Sequence, residues 1–135
     1  MIDIVIPIPD SGNASALGYS NQINKPFELG IIRNHYTGRT FIQPTSRVRN
    51  LGVKLKHNPN PSALKDKKIA LIDDSVVRGT TATKIVEMLK NAGAKEIHMR
   101  IASPPVKFPC YYGIDTPSES ELLASKYSIK ENAAK

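Results

Sequence analysis

The chain has 135 residues, 40% of them apolar, and a formal net charge of +7. One domain fits that length and would bury roughly two-thirds of its unfolded surface, and this composition excludes a disordered chain. No apolar run approaches the ~20 residues that span a bilayer, so a helical membrane protein is excluded as well.

Residues 4–8 are a short apolar run stopped by Pro9-Asp10-Ser11-Gly12, which reads as a strand followed by a tight loop. The apolar N-terminus is broken by Pro7 and Pro9 and has no basic n-region, so it is not a signal peptide. Residues 13–23 read as a helix with Ala14 and Leu17 facing inward and Ala16 a further candidate, ended by Asn24-Lys25-Pro26. Residues 27–32 are a second strand candidate.

Residues 29–65 contain no Asp or Glu, but they hold Arg33, Arg39, Arg47, Arg49, Lys54, Lys56 and Lys65 together with His35 and His57. Such a span expects a polyanion: nucleic acid, a membrane surface or a phosphorylated small molecule. Gly38, Pro44, Gly52, Pro59 and Pro61 punctuate it, and residues 45–53 could form a short helix. The rest of the span reads as a surface loop whose length points to function.

Residues 68–72 are the third strand. Residues 82–92 have helical spacing, with Ala82, Ile85, Leu89 and Ala92 on one stripe and Gly93 placed as the C-terminal cap. A fourth strand covers 97–102 and stops at Pro104-Pro105, and 111–114 is a fifth candidate. A helix over 118–127 has Ser118 as cap and Glu121 three residues on; residues 128–135 are a polar tail. The expectation is an α/β domain over residues 1–127, with a mostly parallel sheet of about five strands and flanking helices. Ligands of such sheets bind outside the carboxyl ends of the strands, where strand order reverses.

The most informative string is IALIDDSVVRGTT, residues 69–81. Ionised carboxylates cannot sit in the middle of a buried strand, but at its carboxyl end they meet solvent, metal or ligand. Two adjacent carboxylates accept hydrogen bonds, and vicinal sugar hydroxyls donate them. Asp73 and Asp74 therefore suit a ribose 2′,3′-diol, directly or through a hard cation such as Mg²⁺. The turn Ser75-Val76-Val77-Arg78-Gly79-Thr80-Thr81 leads into a helix, and its amides, the helix dipole and two hydroxyls make a phosphate cradle. Each feature alone is no more than a capped strand-to-helix turn. Together they describe a site for a ribose 5-phosphate derivative.

This string resembles the phosphoribosylpyrophosphate (PRPP) motif of the type I phosphoribosyltransferases. PIPDSG is similar to that family's pyrophosphate loop. RNHYTGRTFIQPT and VKLKHN resemble the flexible catalytic loop of its amidophosphoribosyltransferase branch, as does SPPVKFPCYYGIDTP for another stretch. The resemblance implies that Asp73 and Asp74 bind the ribose hydroxyls and help hold Mg²⁺, with Ser11 a third position near the metal. It implies that the backbone of Asp10, Ser11 and Gly12 faces the pyrophosphate and that Ser75 to Thr81 hold the 5-phosphate. Arg33, Tyr36, Arg39 and Lys56 fall on the loop that closes over PRPP. The implied reaction displaces pyrophosphate from the ribose with ammonia, forming 5-phosphoribosylamine for de novo purine biosynthesis.

The branch's glutaminase domain, and parts of its phosphoribosyltransferase region at both ends, have no counterpart in these residues. The chain therefore reads as a fragment: a shortened gene product, half of a split enzyme, or a cut piece. Its ammonia would be free or come from a separate glutaminase chain. Cys110 matches one of four iron–sulfur ligands in the resembled branch, and the other three are absent, so no cluster is expected from this chain alone. A single cysteine permits no intrachain disulfide, which favours a cytoplasmic protein. His35, His57 and His98 show no ligand spacing. The other reading is a non-catalytic PRPP-binding remnant or regulatory module. Tyr36 and Phe41 are too few stacking residues for nucleic acid. No membrane partner is expected, and the family's habit is to form homo-oligomers.

Overall fold

The computed structural model describes residues 1–34, 57–110 and 122–126. Among these residues, three strands form a parallel sheet in the order β1-β4-β5: β1 (Ile4–Pro7), β4 (Lys68–Asp73) and β5 (Glu96–Ile101). A separate antiparallel pair joins β2 (Ile31–Arg33) and β3 (His57–Pro59). The helices are α1 (Asn13–Ile23), α2 (Pro61–Leu64), α3 (Thr80–Asn91) and α4 (Leu123–Lys126).

β1 and β4 are near-continuous apolar runs because helices or loops cover both of their faces. Parallel register places Ile4 beside Ile69 and Ile6 beside Leu71, so these side chains share a face. They pack with Ile31, Leu64, Ile85 and Leu89 in the larger core, with Ile97 and Met99 of β5 at its margin. Val5, Ala70 and Ile72 point the other way and pack with Ala16 of α1, flanked by Tyr19, Ile23 and Phe27. Leu89 is completely enclosed. Leu89→Ala is expected to cost about 2–5 kcal/mol of stability, measured by urea unfolding, because the cavity it leaves cannot close fully.

The span over 27–32 divides in two. Phe27 makes a parallel bridge to Val5, held by Val5 N–H to the Pro26 carbonyl (2.8 Å) and Glu28 N–H to the Val5 carbonyl (3.0 Å). Ile31 then turns into the core from the antiparallel pair. Gly30 marks the break: a Cβ there would meet the Ile6 side chain and lie 3.0 Å from Leu64 Cδ2. The end of the basic span is also ordered structure rather than loop. Pro61 opens α2 at its first turn, where its missing N–H costs nothing, and Leu64 at its end is fully buried.

Helix α1 spans the expected residues but is rotated from the expected face. Ala16 and Ser20 are buried, Ala14 is exposed and Leu17 is 51% exposed. The phase is set at Gly12, where backbone meets backbone (below), and the inward stripe then recurs at buried Ala16 and Ser20 and partly buried Ile23. Helix α3 begins two residues earlier than its apolar stripe implied and buries Ile85 and Leu89, with Gly93 (φ 99°) just beyond it. The expected strand over 111–114 and helix over 45–53 lie outside the described residues.

Among the described residues, no helix is long and apolar enough to cross a membrane.

Candidate functional site at the ends of β1 and β4

After β1 the chain passes through α1 to Phe27 on one side of the sheet, whereas β4 pairs with the other side of β1. Strand order reverses there, and sheets of this kind take their ligands at such a point, outside the carboxyl ends of the strands, here β1 and β4. Both polar loops identified in the sequence emerge at it.

The first loop is tied down by backbone bonds. The Ile8 amide donates to the Ile72 carbonyl (2.8 Å), and the Gly12 amide donates to the Ile8 carbonyl (2.9 Å). The Pro9–Asp10 peptide is cis. Asp10 and Ser11 are exposed, whereas Gly12 is buried. A Cβ on Gly12 would lie 2.5 Å from the Ile72 oxygen and 2.9 Å from the Ile8 oxygen, so this glycine answers to close approach of backbones.

The second loop starts at the acids. The Asp74 amide donates to Asp73 Oδ1 (2.9 Å), and the Ser75 amide donates to Asp74 Oδ1 (2.7 Å). The chain leaving β5 holds their backbones from the other side, Ala102 N–H to the Asp73 carbonyl (3.0 Å) and Ser103 N–H to the Asp74 carbonyl (2.8 Å). Each carboxylate thus has one oxygen oriented by main chain on a fixed backbone.

Burial pushes the Asp73 carboxyl up to about 6, reinforced by the hydrogen bond and charge of neighbouring Asp74 and opposed by the Asp74 amide. Between about 4 and about 6 the folded chain then binds this proton more tightly than the unfolded chain. The metal-free fold is therefore expected to lose stability as pH rises through that window. Urea unfolding of Asp73→Asn across it should show a flatter profile than the parent chain.

Gly79 adopts φ 77°, the left-handed conformation that starts α3 without a side-chain cap. Thr83 gives both its amide (3.0 Å) and its hydroxyl (3.1 Å) to the Gly79 carbonyl. That is the first turn's closing bond, so the amides of Thr80, Thr81 and Ala82 precede it at the positive end of the helix. Such amides are suited to an anion.

Two supports of the site were not read from the sequence. The Leu123 amide donates to the Val77 carbonyl (2.9 Å), and the Leu123 side chain lies against Gly79, so α4 braces the loop between β4 and α3. Its only sequence signal is the apolar pair Leu122-Leu123 within a predicted helix. The second support is an ion pair between Arg33 and Asp10, which joins the end of β2 to the first loop.

Asp10 to Gly12 therefore follow β1, Asp73 to Thr81 run from the end of β4 into the first turn of α3, and Arg33 reaches the first of these segments. Tyr36, Arg39 and Lys56 lie outside the described residues. No group of three His, Cys, Asp or Glu side chains able to hold a metal occurs among the described residues. Mg²⁺ does not need one: it keeps several waters and takes one or two carboxylates plus substrate phosphates. The hard oxygens of Asp73, Asp74 and Ser11 fit that habit. Cys110 is half-buried.

The chain is 55% identical to the amidophosphoribosyltransferase of Rhizobium etli over 98% of its own length and 27% of that protein's. It is 54% identical to amidophosphoribosyltransferase 1, chloroplastic, of Arabidopsis thaliana, over 96% of this chain and 23% of that one. It thus spans about a quarter of the length of these relatives. The glutamine PRPP amidotransferase structure from B. subtilis, complexed with ADP and GMP, superposes with a TM-score of 0.82 at 46% identity, covering 97% of this chain and 29% of that one. The fold is thus the type I phosphoribosyltransferase fold. The phosphoribosyl transferase domain profile matches residues 1–102, and the chain belongs to that family.

Proposed function

We propose that this chain carries the synthase chemistry of an amidophosphoribosyltransferase: PRPP and ammonia give 5-phosphoribosylamine and pyrophosphate, a step of de novo purine biosynthesis. The observation that carries the reading is the pairing of Asp73-Asp74 at the end of β4 with the uncapped amides opening α3, seven residues on from Asp73. The acids accept hydrogen bonds from the ribose hydroxyls. The amides of Thr80 and Thr81 and the turn before them receive the 5-phosphate. The loop at Asp10 to Gly12 lies beside the acids and faces the leaving pyrophosphate. Asp73, Asp74 and Ser11 would hold Mg²⁺, which would supply positive charge to that leaving group.

No protein nucleophile is required. Charge develops on pyrophosphate and on the ribose ring, and fixed dipoles and cations stabilise it. Arg33 is a candidate cation for this task. Roles for Tyr36, Arg39 and Lys56 in closing over PRPP rest on the sequence resemblance. Ammonia would arrive free or from a separate glutaminase chain. Assembly into a homo-oligomer and a cytoplasmic location belong to the same reading.

The test is pyrophosphate release from PRPP with Mg²⁺ at pH ~8, with and without ammonium. Ammonium-dependent release is the expected result. PRPP binding by the folded chain without release would overturn the catalytic reading in favour of a non-catalytic PRPP-binding module.

A further inference from the structure

Asp10 presents a difficulty for an anion site. Its carboxylate stands in the loop assigned to the pyrophosphate, where a fixed negative charge opposes binding. Arg33 answers it: Nη1 donates to Asp10 Oδ2 at 2.5 Å, from a residue 23 positions away. The backbone of Arg33 is anchored, since Arg33 pairs with His57 across β2 and β3 and Ile31, two residues before it, is buried in the core. The tips are wet, with side chains 38% and 49% exposed for Arg33 and Asp10. A water-accessible ion pair exchanges partners at little cost, and a guanidinium binds phosphate oxygens as readily as a carboxylate.

We infer that Asp10 is an internal competitor for Arg33. In the free chain it occupies the guanidinium that the pyrophosphate takes on binding. It thereby sets how tightly the loop accepts a bare anion. The inference rests on the reading of this loop as the pyrophosphate site. It makes Asp10 an affinity-setting residue and Arg33 a cation shared between two anions.

A double-mutant cycle tests it. Inorganic pyrophosphate is titrated calorimetrically in chelator, without metal, into the parent chain, Asp10→Asn, Arg33→Gln and the double variant. All four should fold, because the pair is on the surface; urea unfolding verifies this. Asp10→Asn removes one negative charge in either background, but it frees a guanidinium only where Arg33 is present. Its gain in affinity should therefore be larger in the parent background than in the Arg33→Gln background, by a factor on the order of threefold. Arg33→Gln alone should bind most weakly of the four. Equal gains in the two backgrounds, or no gain, would overturn the competition while leaving the pyrophosphate site standing. Absence of binding by all four folded proteins would overturn the site assignment and this inference with it.

Discussion

Asp73→Asn/Asp74→Asn together should abolish metal-dependent PRPP binding and lower ammonium-dependent pyrophosphate release by about 100-fold or more, the scale seen when a preorganised charge-stabilising group is removed. The substitution keeps shape and removes charge. An asparagine Oδ1 can still accept the Asp74 and Ser75 amides that orient the present carboxylates. The backbone bonds from Ala102 and Ser103 do not depend on these side chains at all. Folding should therefore survive. It should even improve above pH ~6, because burial makes the ionised Asp73 carboxylate a cost to the metal-free chain. The predicted signature is a separation: activity lost, melting temperature equal or raised. Isothermal titration with PRPP and Mg²⁺, beside a thermal melt, reads both. A double variant that releases pyrophosphate at the parent rate would remove Asp73 and Asp74 from the site.

That separation has a physical basis. A group kept for function sits where it is not at its own energetic optimum. Asp73 closes a buried strand beside a second carboxylate, an arrangement that protein stability alone would not favour. Its pKa shift expresses that tension before any ligand is present.

The same tension explains what could be read from the sequence. Ile4 to Ile8 and Lys68 to Ile72 were legible as strands because their apolar runs end abruptly in acids and turn residues. Helix α3 was legible because Ile85 and Leu89 share a stripe and Gly93 marks its end. The candidate acids were legible because they violate a strand's pattern at its carboxyl end. Features made by tertiary approach were not. Leu17 looks like a core residue in a helical window, but the phase of α1 is decided by contact between Gly12 and Ile72, residues 60 positions apart. The division at Gly30 follows from the space that Ile6 and Leu64 leave, which no local pattern records. The Arg33–Asp10 pair and the Leu123 brace likewise join distant positions. Local periodicity reports what a segment does alone; these contacts report where segments meet.

Gly12 and Gly18 provide the sharpest test of that distinction, since one alanine substitution should act with opposite sign at two places on the same helix. Gly18 lies inside α1 with nothing within 4 Å of where a Cβ would stand, so Gly18→Ala should stabilise the chain by about 0.5–1 kcal/mol through lower unfolded-state entropy and better helix propensity. Gly12 has ordinary right-handed backbone angles (φ −74°), so conformational freedom is not its reason for being glycine. Its neighbours are. A Cβ would stand 2.5 Å from the Ile72 oxygen, 2.9 Å from the Ile8 oxygen and 3.1 Å from the Ile8 nitrogen, all backbone atoms that cannot swing aside. Relief requires separating α1 from the ends of β1 and β4. That strains the Ile8–Ile72 hydrogen bond and shifts the loop carrying Asp10 and Ser11. Gly12→Ala should therefore cost about 1–3 kcal/mol, as overpacking of a close contact does, and Gly12→Val more. Because the displaced backbone is the one that faces the proposed pyrophosphate, PRPP affinity should fall in the same variant, whereas Gly18→Ala should leave it unchanged. Urea unfolding and PRPP titration of the two alanine variants give the comparison. A Gly12→Ala chain as stable as Gly18→Ala would mean that the helix does not seat on the strand ends as described.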